Sequence, residues 1–177
     1  MKDFVGDNSF YSCYLNDIDK PDVLIIYLDS FKHHIGPMIK NEMSCSANYC
    51  KIKSHKNLNY FPETNLNMSA IVSPLFSSEE RHKGEQEVVS VAYMTYCLNH
   101  DLIIVIDEKG PRNIIINNIQ CLIPYLTGTI GLLVDSVENY KILNKDDALN
   151  LLSEIENSNF RVSANIISQA KKKLMGS

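Results

Sequence analysis

Four acidic residues, Asp7, Glu42, Glu85 and Asp107, stand where apolar segments end or helical segments open. Asp7 follows the run KDFVG and Asp107 follows LIIVI, while Glu42 and Glu85 fall in early turns of helical stretches. In open α/β sheets ligands collect at the carboxyl ends of strands, so acids in these places are aimed at one sheet edge. Carboxylates gathered without basic partners cannot all stay ionised unless a cation neutralises them, and Mg²⁺ or Mn²⁺ takes oxygen ligands. The set therefore reads as a divalent-metal site, against the plainer account in which each acid caps a helix or is solvated separately. Glu87 is an open fifth member. Lys109 and Arg112, just past Asp107, are placed to hold a phosphate, and solvation of a helix end explains them equally well.

The elements that must position these acids centre on Gly84 to Arg112. Glu85, Val88, Val89, Ala92 and Tyr96 recur at helical spacing and predict a helix from Gly84 to Asn99, with Glu85 and Glu87 where the helix dipole favours anions. After the turn His100-Asp101, the continuously apolar run Leu102 to Ile106 predicts a strand covered on both faces in a parallel sheet. Before it, Lys2 to Gly6 predicts a first strand and Tyr11 to Leu15 a helical turn. Pro21 opens a helix reaching Lys32, His33 to Ile35 forms a short strand, and Gly36-Pro37 opens a helix carrying Met38, Ile39 and Glu42. Ser44 to Lys83 is an irregular excursion broken by Pro62 and Pro74, with Met68 to Val72 its main apolar run.

Beyond Arg112 the pattern predicts a helix over Asn113 to Asn118, a strand over Gln120 to Ile123 and a helix over Gly128 to Tyr140 capped by Thr127 or Thr129. Two amphipathic helices, Lys145 to Asn157 and Ser163 to Leu174, close the chain. The alternation predicts one α/β domain over residues 1–177, a three-layer α/β/α sandwich around a mostly parallel sheet of four or five short strands.

With 45% hydrophobic and 21% charged residues the chain is ordinary for a globular domain, and its net charge of −4 argues against a generally basic nucleic-acid coat. No membrane span or secretory leader is legible, so a cytoplasmic place is expected. The five cysteines are odd in number, and Cys97 and Cys121 lie in apolar segments, which predicts reduced core thiols. Cys45, Cys50, His55 and His82 are spaced too loosely for a usual zinc site. Lys51, Lys53 and Lys56, interleaved with Tyr49, Asn57 and Tyr60, fit a solvated loop better than an RNA contact. His33 and His34 are read as structural.

The order of these features resembles the PIN-domain nucleases, VapC-like ribonucleases among them. The similar segments are Asp7-Asn8-Ser9 after the first strand, Ile35-Gly36-Pro37 through Glu42, the helix start Gly84-Glu85-Gln86-Glu87, and Asp107 with Arg112 after the central strand. Thr127-Gly128-Thr129-Ile130-Gly131-Leu132-Leu133 and Asn159-Phe160-Arg161-Val162-Ser163 also look like segments of one PIN subgroup. The resemblance implies that Asp7, Glu42, Glu85 and Asp107 hold Mg²⁺ or Mn²⁺, that Ser9 steadies Asp7 through its hydroxyl, and that the substrate is RNA. Glu108 stands where the family often has a second Asp. It also implies partners: an antitoxin, as for the toxin of a toxin–antitoxin pair, or a second copy in a homo-oligomer, covering the apolar helix from Pro21. Two other readings stay open, a silent PIN-fold scaffold and a nuclease acting on DNA flaps or single strands.

Overall fold

The computed structural model describes residues 1–61, 72–75 and 83–176. Most of the run Met68 to Val72, with Pro62 and His82, lies outside them, while Val72 is buried. Five strands, β1 (Asp3–Gly6), β2 (Lys32–Ile35), β3 (Leu58–Tyr60), β4 (Leu102–Val105) and β5 (Leu126–Thr127), form one sheet in the order β3-β2-β1-β4-β5. Every pairing is parallel. The helices are α1 (Asn8–Ser12), which runs into a π-helical turn (Cys13–Asp17), α2 (Pro21–Ser30), α3 (Pro37–Ser44), α4 (Lys83–Leu98), α5 (Lys109–Asn118), α6 (Thr129–Glu138), α7 (Lys145–Glu156) and α8 (Ala164–Gly176).

Alternation along the central strands separates two cores. Phe4, Ile103 and Val105 face one, with Phe10, Tyr14, Leu24 and Tyr27 from the early helices and Leu133, Leu152 and Leu174 from the closing ones. Val5, Leu102, Ile104 and Ile106 face the other, filled by Val88, Val89 and Ala92 of α4 and Ile115 of α5. This is the predicted three-layer α/β/α arrangement. A sheet covered on both faces needs strands without polar alternation, and all four residues of β4 are buried.

The chain leaves β1 to build β2 and β3 on one side, then returns to build β4 and β5 on the other. β1 and β4 are therefore neighbours at the point where strand order reverses, and their register, Asp3 to Leu102 through Gly6 to Val105, sets their carboxyl ends level. A crevice opens there because the connections on either side diverge.

Several expectations are corrected. Gln120–Tyr125 is a 3₁₀ helix, not a strand, since Pro124 has no N–H to give a ladder and the turn buries Leu122. The excursion supplies an unforeseen edge strand, β3, which pairs with β2 through Leu58 to Tyr60. The cysteines are free, but Cys97 and Cys121 are exposed and Cys13 is the buried one. Gly128 takes the cap position of α6, where no side chain of its own can cap.

The broad apolar surface of α2 is covered mostly within the chain. Leu24, Tyr27 and Leu28 are buried, Val23 and Ile25 pack on the same core, and Ile26 stays 37% exposed. The closing helices supply the cover: Ser136 of α6 donates to the Tyr27 hydroxyl at 3.2 Å, and Lys20 pairs with Glu154 of α7 at 3.0 Å. His33 is structural, buried beside Phe4 with its Nδ1 3.0 Å from the Tyr11 hydroxyl, and burial pushes its pKa down to about 3. His34 pairs with Asp3 at 2.7 Å. Among the described residues no helix is long and apolar enough to cross a membrane.

Candidate active site

Asp7 is the first residue past β1, and its carboxylate is held by backbone N–H groups. Phe10 donates to Oδ1 at 3.0 Å, which caps α1, and Asp107 donates to Oδ2 at 2.7 Å. The second bond ties the end of β4 to the end of β1. Asp7 is 3% exposed, and burial together with the charge of Asp107 pushes its pKa up to about 7. Asp107 in turn caps α6 from outside the helix: Thr129 donates to it through its N–H at 3.0 Å and its hydroxyl at 2.5 Å. A Cβ on Gly128 would stand 2.8 Å from Asp107 Oδ1, so the close approach of this carboxylate requires glycine there. Burial raises the Asp107 pKa, while the Thr129 bonds and the Arg112 charge oppose the rise.

Glu85 enters from the first turn of α4, close enough to α5 that a Cβ on Gly110 would meet its Oε2 at 2.7 Å. Glu108, beside Asp107, has Glu85 as a neighbour, and burial together with this second carboxyl raises the Glu108 pKa. Glu85, Asp107 and Glu108 line a cleft of about 760 Å³, with Ser9, Asp17 and Lys109 on its wall. Asp7 is buried behind this wall. Glu42 is exposed and does not line the cleft; it lies near Gly84, where an added Cβ would stand 3.3 Å from its Oε1.

Four expectations change in detail. Glu87 turns away from the cleft to cap α3, accepting the N–H groups of Met38 and Ile39 at 2.9 and 3.0 Å. Its side chain packs against Gly36 so closely that any Cβ there would overlap it, which explains the glycine before Pro37. Arg112 is a staple, not a free phosphate ligand: Nη1 donates to the carbonyls of Ile106 and Thr127 at 2.7 and 2.8 Å, joining β4 to β5. Ser9 donates to Glu108 at 3.4 Å instead of steadying Asp7. Glu108, left open at the sequence level, is in the cleft.

A family model described as a PIN domain matches residues 14–175. The chain belongs to the PIN-domain family. Glu42, Glu85 and Asp107 lie inside the matched stretch, and Asp7 and Ser9 precede it. No curated protein and no solved structure matches the chain. PIN domains are generally nucleases that use divalent metals, and the donor chemistry here suits such an ion: oxygen ligands only, crowded enough that burial and neighbouring charge raise the pKa of Asp7 and of Glu108. As placed, no three His, Cys, Asp or Glu side chains among the described residues close into a metal-ligating group. The physical reason is that uncompensated carboxylates repel and turn to the nearest N–H and O–H donors, as Asp7 and Asp107 do.

Among the residues lining this PIN-domain cleft to which sequence reasoning assigned no role there are Asn159, Phe160 and Arg161. The signal that could have found them is an aromatic and a cation side by side in a turn, within a segment already similar to the family.

Proposed function

We propose that this PIN domain is a divalent-metal-dependent endoribonuclease whose centre is built from Asp7, Glu85 and Asp107, joined by Glu108, with Glu42 near Gly84. The observation that supports it most is the pairing of Asp7 and Asp107 at the level carboxyl ends of β1 and β4, where the Asp107 N–H binds the Asp7 carboxylate at 2.7 Å. Asp7, Glu85 and Asp107 would hold the cation, which when bound lowers the pKa of water and offsets charge developing on the phosphate.

The chain's own groups do the positioning. Backbone N–H groups hold Asp7, and Thr129 holds Asp107, which keeps both carboxylates at the ends of β1 and β4. Glu108, whose pKa is raised by burial and by the neighbouring Glu85, is placed to take the proton that the attacking water loses. Water oxygen bonds to phosphorus in line as the bond to the leaving ribose oxygen breaks, and that oxygen is protonated from solvent. Lys109 is on the wall where a phosphate would lie.

The test is a titration of Mg²⁺ and of Mn²⁺ against matched single-stranded RNA and DNA. Internal cuts in RNA that need either ion support the reading. Preference for the DNA strand removes the ribonuclease assignment, and no cleavage of either strand favours a silent binding module.

A further inference from the structure

One wall of the cleft is formed by the turn between α7 and α8. Phe160 packs partly on the core and otherwise lines the cleft, and Arg161 beside it is exposed. The turn is held in shape: Ser158 Oγ donates to the Ile155 carbonyl at 2.8 Å and accepts the Phe160 N–H at 3.1 Å, and the Val162 N–H closes on the Phe160 carbonyl at 3.0 Å. An aromatic surface and a cation are thereby presented together, pre-ordered, in the cleft that the acids line.

Charge makes this side distinct. Asp17, Glu85, Asp107 and Glu108 give the cleft four acids against two cations, Lys109 and Arg161. Among the described residues neither cation has an ion-pair partner, a state they share with several surface lysines, while Lys2, Lys20, Lys171 and Lys173 are each paired with an acid. Arg112 is committed to two carbonyls. Among the described residues that line the cleft, a polyanionic strand finds positive charge without an ion-pair partner at Lys109 and Arg161. A base can stack on a side chain only after leaving its own stack, which single strands permit and duplexes resist.

We propose that Phe160 and Arg161 form a nucleotide subsite for single-stranded RNA, Phe160 stacking on a base and Arg161 holding the phosphate that flanks the scissile one. The proposal rests on the nuclease reading and names the part of that site that grips the strand.

The experiment measures anisotropy of a labelled oligouridylate and of an abasic strand of equal length, in the Asp107→Asn background so that binding is read without turnover. Phe160→Ala is expected to weaken oligouridylate binding about tenfold, to leave the abasic strand unaffected, and to be rescued by Phe160→Tyr. Arg161→Gln weakens both strands alike and lowers the slope of log affinity against log salt by about 0.7, the value for one phosphate on a single strand. Circular dichroism melts confirm folding, and Arg161→Lys retains part of the affinity. Binding by Phe160→Ala and Arg161→Gln equal to the background overturns the subsite, as does a Phe160→Ala loss that is the same on both strands. If the wild type cuts RNA while KM is unchanged in both variants, the subsite alone fails. If the background binds neither strand and the wild type cuts none, the nuclease reading fails with it.

Discussion

Asp7→Asn is expected to make the metal-free protein more stable at alkaline pH while removing its activity. In the folded chain burial and the Asp107 charge raise the Asp7 carboxyl from 3.8 to about 7, which corresponds to roughly 4 kcal/mol favouring the protonated form. The sign follows from linkage. The folded state binds this proton more tightly than the unfolded one, so the contribution is fully present below about pH 4 and is lost as pH rises through about 7. Above pH 7 the wild type carries a buried, repelled charge that asparagine does not. Against this gain, an amide has one accepting oxygen where the carboxylate has two, so either the Phe10 or the Asp107 N–H loses its acceptor, a cost of about 1–3 kcal/mol. The net at pH 8 is a stabilisation of about 1–3 kcal/mol, or roughly 2–12 °C in Tm for a chain of this size. Thermal melts of both proteins in chelator, from pH 4 to pH 8.5, read it directly. The difference between variant and wild type must grow as pH rises through about 7 and then level off. A difference that is constant with pH, or that shrinks as pH rises, refutes the reasoning about this carboxyl. Magnesium should raise the Tm of the wild type and not that of the variant.

Other substitutions separate the acids that face the cleft from those that hold the fold. Gly36→Ala forces the Glu87 side chain off the first turn of α3 and should cost about 3 kcal/mol in urea denaturation; an unchanged midpoint would mean that Glu87 does not hold this turn. Glu87→Gln is expected to lower stability with activity tracking the folded fraction, whereas Glu85→Gln should abolish cleavage and leave the melt close to wild type. Arg112→Ala removes the β4–β5 staple and should lose about 1–3 kcal/mol without any substrate present; loss of RNA affinity at unchanged stability would return it to the phosphate-binding role. If the homo-oligomer proposal holds, light scattering at micromolar concentration shows a mass above that of one chain, and Ile26→Lys lowers it; a clean monomer means the closing helices suffice.

How much of this was legible follows from the range of each interaction. β4 announces itself because a strand covered on both faces must be apolar throughout, and Asp107 at its end inherits a position that strand direction dictates. The closing helices show their faces through spacing alone, and Asn144 caps α7 as its place before Lys145 implies. β3 and β5, of three and two residues, are too short for any period to register. Glu87 caps a helix 49 residues away in sequence, and Arg112 joins two strand ends, so neither role has a local signature. Glu87 differs from Glu85 only in where its helix turns it: two residues along, the side chain points about 200° further round, from the cleft toward α3.

The central claim is that the acids meeting where β1 and β4 end are a metal-dependent nuclease centre, and Asp107→Asn tests it most directly. Cleavage of single-stranded RNA should be followed with Mn²⁺ titrated into wild type and variant, alongside calorimetry of Mn²⁺ binding. The account predicts manganese binding and cleavage in the wild type, loss of cleavage by at least about a hundredfold in the variant at an unchanged fold, and no activity of either in excess chelator. Full cleavage by Asp107→Asn, or by the wild type in chelator, would contradict it.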